Sequence, residues 1–201
     1  HTRTRRQRQM CIRDRKDTPK NAPTLLYGYG SYGISISPSF SVSRLSLIDR
    51  GMVYAIAHIR GGMEKGKKWY EDGKKKNKLN SFKDFITCAE FLKKENISEN
   101  ITIHGGSAGG LLIGASINIS PDTFHCAVAE VPFVDVLNTI LDDSLPLTPP
   151  EWEEWGNPIK NKSDFDYIGS YSPYDNIKEQ NYPTILATSG LTDPRVTYLS
   201  L

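Results

Sequence analysis

Residues 105–109, Gly-Gly-Ser-Ala-Gly, place Ser107 in the pattern G-x-S-x-G. A serine hydroxyl attacks a carbonyl only when it is exposed, aimed and served by a neighbouring base. This spacing supplies the aim, because small residues around the serine permit a sharp strand-to-helix turn. The flanks agree. Ile101 and Ile103 alternate as in a strand, and Leu111, Leu112, Ala115 and Ile117 form an apolar stripe suited to a helix. The chemistry is nucleophilic acyl transfer, with the backbone N–H of Ala108 able to donate to the developing oxyanion.

A second oxyanion donor must come from the loop after an earlier strand. Gly28-Tyr-Gly-Ser-Tyr-Gly33 is such a loop, and the Tyr29 phenol reads either as that donor or as a packing aromatic at a turn. The same six residues spell G-x-G-x-x-G, with Asp49 downstream, the outline of a dinucleotide fingerprint. A fingerprint needs a helix to open at its glycines. Here Ile34-Ser-Ile-Ser-Pro38 follows, alternating and broken by proline, so no cofactor is expected.

The acid that orients the base follows the nucleophile in this class of site, and a histidine follows the acid. Asp193, just beyond the apolar run 184–189, fits the first requirement. The histidines are His1, His58, His104 and His125, and none follows Asp193. The general base is therefore expected outside this chain.

The elements that must position these residues alternate strand and helix. Strands are expected at 24–27, at 53–59, ending with Ile101 and Ile103 before the elbow, at 126–131 and at 184–189, and helices at 41–49, at 80–95 and after Ser107. Ser41 or Ser43 is a plausible cap for the first of these helices and Ser81 for the second. Residues 65–78 are rich in lysine and read as a solvated loop. Residues 132–180 are rich in proline and acids and read as an excursion of loops and short helices. Near-continuous apolar strands alternating with helices predict an α/β fold, a mostly parallel sheet with helices on both faces. Sites in such sheets lie beyond the carboxyl ends of the strands. Tyr29, Arg60, Ser107 and Asp193 all fall there.

Composition sets the outer bounds. The 201 residues are 24% charged and 38% hydrophobic, as in a globular domain with a real core. No apolar stretch is long enough to cross a bilayer, so no membrane partner is expected. Three cysteines, Cys11, Cys88 and Cys126, lack metal-ligand spacing. No metal is expected, and their sparse, odd count fits a reducing, cytoplasmic location. Net charge is +2, but residues 1–15 alone carry six arginines and one aspartate, which leaves the other 186 residues at −3. That head has no aromatic interleaving and no amphipathic period, so it gives no case for a nucleic-acid partner. It resembles a translated sequencing-adapter read-through, is expected to make no contact with the domain behind it, and the tail 199–201 has the same character.

Longer runs carry a family resemblance: LLYGYGSYG (25–33), FSVSRLSLIDRG (40–51), YAIAHIRGGMEKGKKW (54–69), IHGGSAGGLLIGA (103–115), DDSLPLTPPEWEEWGNP (142–158), YSPYDNI (171–177) and GLTDPRV (190–196). The chain from Pro23 to Tyr198 resembles the catalytic domain of the prolyl oligopeptidase family, most closely its oligopeptidase B members. The resemblance implies an α/β-hydrolase fold, here cut short before the last strand and the triad histidine. It implies a serine peptidase that cleaves short peptides after arginine or lysine through an acyl-enzyme. Ser107 would be the nucleophile and Asp193 the triad acid. Tyr29 and the Ala108 amide would form the oxyanion hole, Tyr32 would line the primary pocket, and Arg195 would hold substrate backbone. Glu151 and Glu153 would receive the basic side chain. Paired carboxylates suit a guanidinium, which binds them as a fork. Read without the family, Glu151, Glu153 and Glu154 are better taken as a solvated acidic turn. Many such members carry acids in the stretch matching Ser37-Pro38-Ser39, where they favour a second basic residue in the substrate. Same-fold alternatives are an esterase or an acylaminoacyl peptidase, and a further one is a binding protein that kept the fold without the chemistry.

Overall fold

The computed structural model describes residues 10–193. Six strands form one sheet in the order β1-β3-β2-β4-β5-β6. They are β1 (Met10–Arg13), β2 (Thr24–Tyr27), β3 (Val53–Ala57), β4 (Ile101–Gly106), β5 (Cys126–Glu130) and β6 (Thr184–Thr188). All neighbouring pairs are parallel except β1, which runs antiparallel to β3. The β3 run Val-Tyr-Ala-Ile-Ala is buried at every position, as a strand covered on both faces must be. This is the expected α/β-hydrolase architecture.

Seven helices are described: α1 (Val42–Asp49), α2 (Lys67–Glu71), α3 (Leu79–Lys94), α4 (Ala108–Ile119), α5 (Val136–Leu141), α6 (Thr148–Trp155) and α7 (Lys162–Gly169). Ser41 caps α1 by accepting from the Arg44 amide. The core joins Leu26, Ile101 and Ile103 of the sheet to Phe82, Phe85, Ala89 and Leu92 of α3 and to Leu111 and Leu112 of α4. On α3 the buried residues recur every three to four positions, so one stripe of the helix meets the sheet.

Three expectations are corrected. Residues 10–15 do contact the domain: β1 pairs with β3 from Met10↔Ala57 to Arg13↔Tyr54, Met10 and Ile12 pack on the core, and Arg15 lies 3.6 Å from Asp49. The composition of the head drew attention to its arginines and away from the alternating Met10 and Ile12. Ser81 is not a cap but lies inside α3, buried, with its hydroxyl donating to the Arg60 carbonyl at 2.7 Å. The run 65–78 is not wholly a solvated loop: it holds α2, and Lys78 is 1% exposed. Residues 1–9 and 194–201, and with them Arg195 and the tail, lie outside the described residues.

Candidate active site

Ser107 stands between β4 and α4 with φ 55° and ψ −121°. A non-glycine residue at positive φ is strained, and such strain collects at functional turns. The surroundings hold it there. The Ser107 amide donates to the Glu130 carbonyl of β5 at 2.9 Å, and its own carbonyl accepts from Gly110 N at 2.8 Å and from Phe133 N at 3.1 Å. A Cβ on Gly105 would overlap the Gly109 carbonyl, so the turn can be this tight only with glycine there. Ala108 is the first residue of α4. Its N–H lies in the first helical turn, where amides have no intrahelical acceptor and the helix dipole favours negative charge.

Tyr29, Ser107, the loop after β5 and Asp193 all follow parallel strands, so the topology brings them to one end of the sheet. A cavity of about 390 Å³ opens there. Ser107, Ala108, Tyr29, Tyr32, Phe133 and Glu151 are among its lining residues. Burial, then the neighbouring Tyr27 and the Glu151 and Glu154 carboxylates, raise the Tyr29 pKa, so its phenol keeps the proton a donor needs. Tyr32 sits at φ 58°. Its hydroxyl donates to Glu151 Oε2 at 2.7 Å, and its ring meets Trp155 edge-on at 5.7 Å. Loss of solvation first, then the Glu151 charge, push its pKa far above the ordinary phenol value.

The three acids of α6 separate. Glu151 faces the cavity. Its Oε2 accepts from both Tyr32 and the Trp155 indole, each at 2.7 Å, while Oε1 has no partner among the described residues. One oxygen is held and the other is open. Glu153 points away, with an 85% exposed side chain paired to Lys75 at 3.1 Å, and does not line the cavity. A helix cannot aim two side chains only two residues apart at one spot. Glu154 is buried at 3% exposure. It accepts from the Tyr32 amide at 3.1 Å and from the Tyr70 hydroxyl at 2.7 Å. Burial first, then the hydrogen bond to Glu154, raise the Tyr70 pKa.

Asp193 lies beyond β6, half-buried, its amide donating to the Gly190 carbonyl at 3.1 Å. None of His58, His104 and His125 lines the cavity. His104 Nε2 instead lies 3.1 Å from Glu130, and His58 Nε2 lies 3.1 Å from the Ile36 carbonyl. Arg60, at the end of β3, is engaged by Asp84 of α3 at 2.6 and 2.8 Å.

Lys78 and Glu154 were not legible as site residues from the sequence. A signal for Lys78 existed: it sits four residues before Phe82 and seven before Phe85, in register with the buried stripe of α3. Among the described residues no group of three or more His, Cys, Asp or Glu side chains could hold a metal.

Known proteins agree with this architecture. Residues 38–200 match the model of the prolyl oligopeptidase family. Dipeptidyl aminopeptidase BI of Pseudoxanthomonas mexicana is 50% identical over 188 residues, 92% of this chain and 26% of that protein. Protease 2 of Moraxella lacunata is 50% identical over 88% of this chain and 26% of its own length. The chain thus spans about a quarter of the length of these curated relatives. Oligopeptidase B from Leishmania major superposes with a TM-score of 0.92 at 50% identity, covering 95% of this chain and 27% of that one. Oligopeptidase B from Trypanosoma brucei, solved with covalently bound antipain, gives 0.91 at 51% identity over 94% of this chain and 27% of that one. A strained serine elbow, a lined cavity and a mostly parallel sheet, matched along 163 of 201 residues by one family model, have one reading: the chain belongs to the prolyl oligopeptidase family.

Proposed function

We propose that this domain serves a serine endopeptidase that cleaves short peptides after arginine or lysine. Ser107 is the nucleophile. The Ala108 amide and the Tyr29 hydroxyl hold the oxyanion, and Asp193 orients a base. Carbonyl attack by Ser107 Oγ forms the tetrahedral intermediate, and loss of the leaving amine gives the acyl-enzyme, which water then hydrolyses. The covalently bound antipain in the 51% identical Trypanosoma brucei relative supports covalent chemistry as the mode of action.

The observation that carries the specificity is Glu151. It shares one cavity with Ser107, and one of its oxygens is held by two donors while the other is open. A guanidinium or ammonium entering that cavity meets a fixed carboxylate. An esterase or an acylaminoacyl peptidase of the same fold has no use for this charge. A basic residue at the cut is therefore favoured, with Glu151 alone, not Glu151 with Glu153, as its partner. None of the histidines in the described residues lines the cavity, so the 201-residue chain by itself is expected to be inactive. No described helix is long and apolar enough to cross a membrane. A cytoplasmic location belongs to the same proposal and rests on the sparse cysteines.

The test is a graft of residues 16–193 into the corresponding segment of oligopeptidase B from Leishmania major. Glu151→Gln in that graft should lower kcat/KM on arginyl amides about 30-fold or more, the cost of leaving a buried cation without its countercharge. Neutral substrates should be unaffected. Equal losses on both would overturn the pocket assignment and favour the esterase alternative.

A further inference from the structure

Lys78 is the only lysine in the core of the described residues, and nothing in the proposed chemistry uses it. It stands at the entry to α3, under the loop that carries Tyr29 and Tyr32. Its ammonium has three donors. One goes to the Gly30 carbonyl at 2.7 Å and one to Ser31 Oγ at 2.6 Å, both in that loop. The third direction holds Glu154 Oε1 at 3.7 Å, and the Trp155 ring lies 4.7 Å away. Glu154 completes the arrangement from α6 by accepting from the amide of Tyr32. The loop is thus gripped at three consecutive residues by two buried, opposite charges, one just ahead of α3 and one on α6.

The grip explains a conformation that is otherwise costly. Tyr32 sits at φ 58°, where a bulky side chain is strained and persists only when its surroundings over-determine it. That conformation aims the Tyr32 ring edge-on at Trp155 and its hydroxyl at Glu151. A buried ion pair is poor value as a stabiliser, since apolar residues of similar volume often serve as well, whereas a fixed geometry is a use such pairs can have. We propose that Lys78 and Glu154 are positioning residues that set the specificity pocket, holding the Gly30–Tyr32 turn so that Tyr32 orients Glu151 toward a basic substrate side chain. The inference rests on the peptidase reading for the ligand, but not for the geometry.

The test uses the 201-residue chain, with benzamidine as a planar cationic probe. Amide hydrogen exchange at Tyr32, benzamidine affinity and the thermal midpoint are measured for wild type, Glu154→Gln, Glu151→Gln and the double variant Lys78→Met with Glu154→Leu. The apolar double variant should fold with a midpoint near that of wild type. Its Tyr32 amide should exchange about tenfold faster, the loss of one hydrogen bond, and benzamidine should bind about tenfold more weakly. The amide of Ile103 in β4 should not change. Glu154→Gln, which keeps an acceptor for the Tyr32 amide, should retain its protection. A folded double variant with unchanged Tyr32 exchange overturns the proposal. So does a double variant that fails to fold, because the pair is then a stability element. If Glu151→Gln leaves benzamidine binding unaltered, the basic-pocket reading falls, and Tyr32 exchange still judges the positioning role.

Discussion

The two flanks of Ser107 are built differently. On one side the Tyr29–Tyr32 loop, Lys78 and α6 form a tightly connected wall of buried charge and aromatic rings, where Trp155 is 1% exposed and touches both Tyr32 and Phe133. On the other side β6 is exposed at all five positions, with Ile185 at 49% and Leu186 at 58%, and Asp193 lies in the loop beyond it. The proposed recognition wall is thus built within the described residues, while the proposed triad acid follows a strand whose side chains are exposed among them. A binding wall needs fixed charges and rings that one cluster of elements can supply. A triad draws its members from the ends of several strands, so its assembly depends on more elements than the wall does.

The sharpest break in this comparison comes from the chemical side. In the Leishmania major graft, Ser107→Ala should lower kcat on arginyl amides by at least about 10⁴-fold, and Asp193→Asn by about 10³–10⁴-fold, as losses of triad members do elsewhere. Neither should weaken benzamidine binding by more than about twofold, because neither contributes to the wall. A burst assay on the graft separates acylation from binding. Benzamidine affinity that falls with Asp193→Asn would show that the two flanks are one unit.

The exposed flank gives the next effect. An edge strand with apolar side chains in water recruits other chains. Leu186→Lys should shift the isolated chain toward monomer, raising its dissociation constant by about tenfold or more, since burial of one leucine contributes about 1.5–3 kcal/mol. Sedimentation velocity over a concentration series reads this directly. An unchanged distribution would mean that β6 is not the surface through which copies associate.

The buried flank has a pH signature. Burial, only partly offset by Glu154, lowers the Lys78 pKa to about 8, against about 10.4 in an unfolded chain. Between these values the unfolded chain binds more protons, so this lysine makes stability rise with pH, and that gain is lost as pH falls through 8. From pH 7 to pH 9 the gain is about 1 kcal/mol. It is read as the difference in urea-unfolding free energy between wild type and the double variant Lys78→Met with Glu154→Leu. The charged group facing the ammonium is Glu154 from α6, which also accepts from the Tyr70 hydroxyl, and the Tyr167 hydroxyl of α7 accepts from the neighbouring Leu79 amide at 3.1 Å. A pH-independent difference would show that Lys78 is not held at low pKa.

The elbow and the parallel strands of the sheet were legible because each is written locally. G-x-S-x-G needs only its own glycines and flanking periodicities, and Thr24–Tyr27 and Ser41 were found where the chain places them. The site's inner wall was not. Lys78 closes a run of lysines whose composition says solvent, and only its register with Phe82 and Phe85 says core. Glu151, Glu153 and Glu154 look alike in a line of text and differ because a helix sends them in three directions. β1 was missed for a related reason, since pairing with β3 is a tertiary event that overrode a basic, aperiodic composition.

The smallest expected effect is also the cleanest separation of neighbouring acids. Glu153 is largely in water and pairs with Lys75, whose own side chain is 41% exposed. Pairs of this kind contribute about 0–1 kcal/mol and are screened by salt. Glu153→Gln should therefore change neither the midpoint of unfolding nor the selectivity of the graft for arginyl over neutral substrates by more than about twofold. Any small change in KM should vanish as ionic strength rises, because the charge acts only through solvent. The effect of Glu151→Gln should persist in high salt, because its carboxylate stands inside the cavity beside Trp155 and Tyr32. A loss of arginine selectivity in Glu153→Gln comparable to that in Glu151→Gln, and resistant to salt, would restore the paired-acid pocket. It would then require α6 to turn during substrate binding, so that both carboxylates reach one cation.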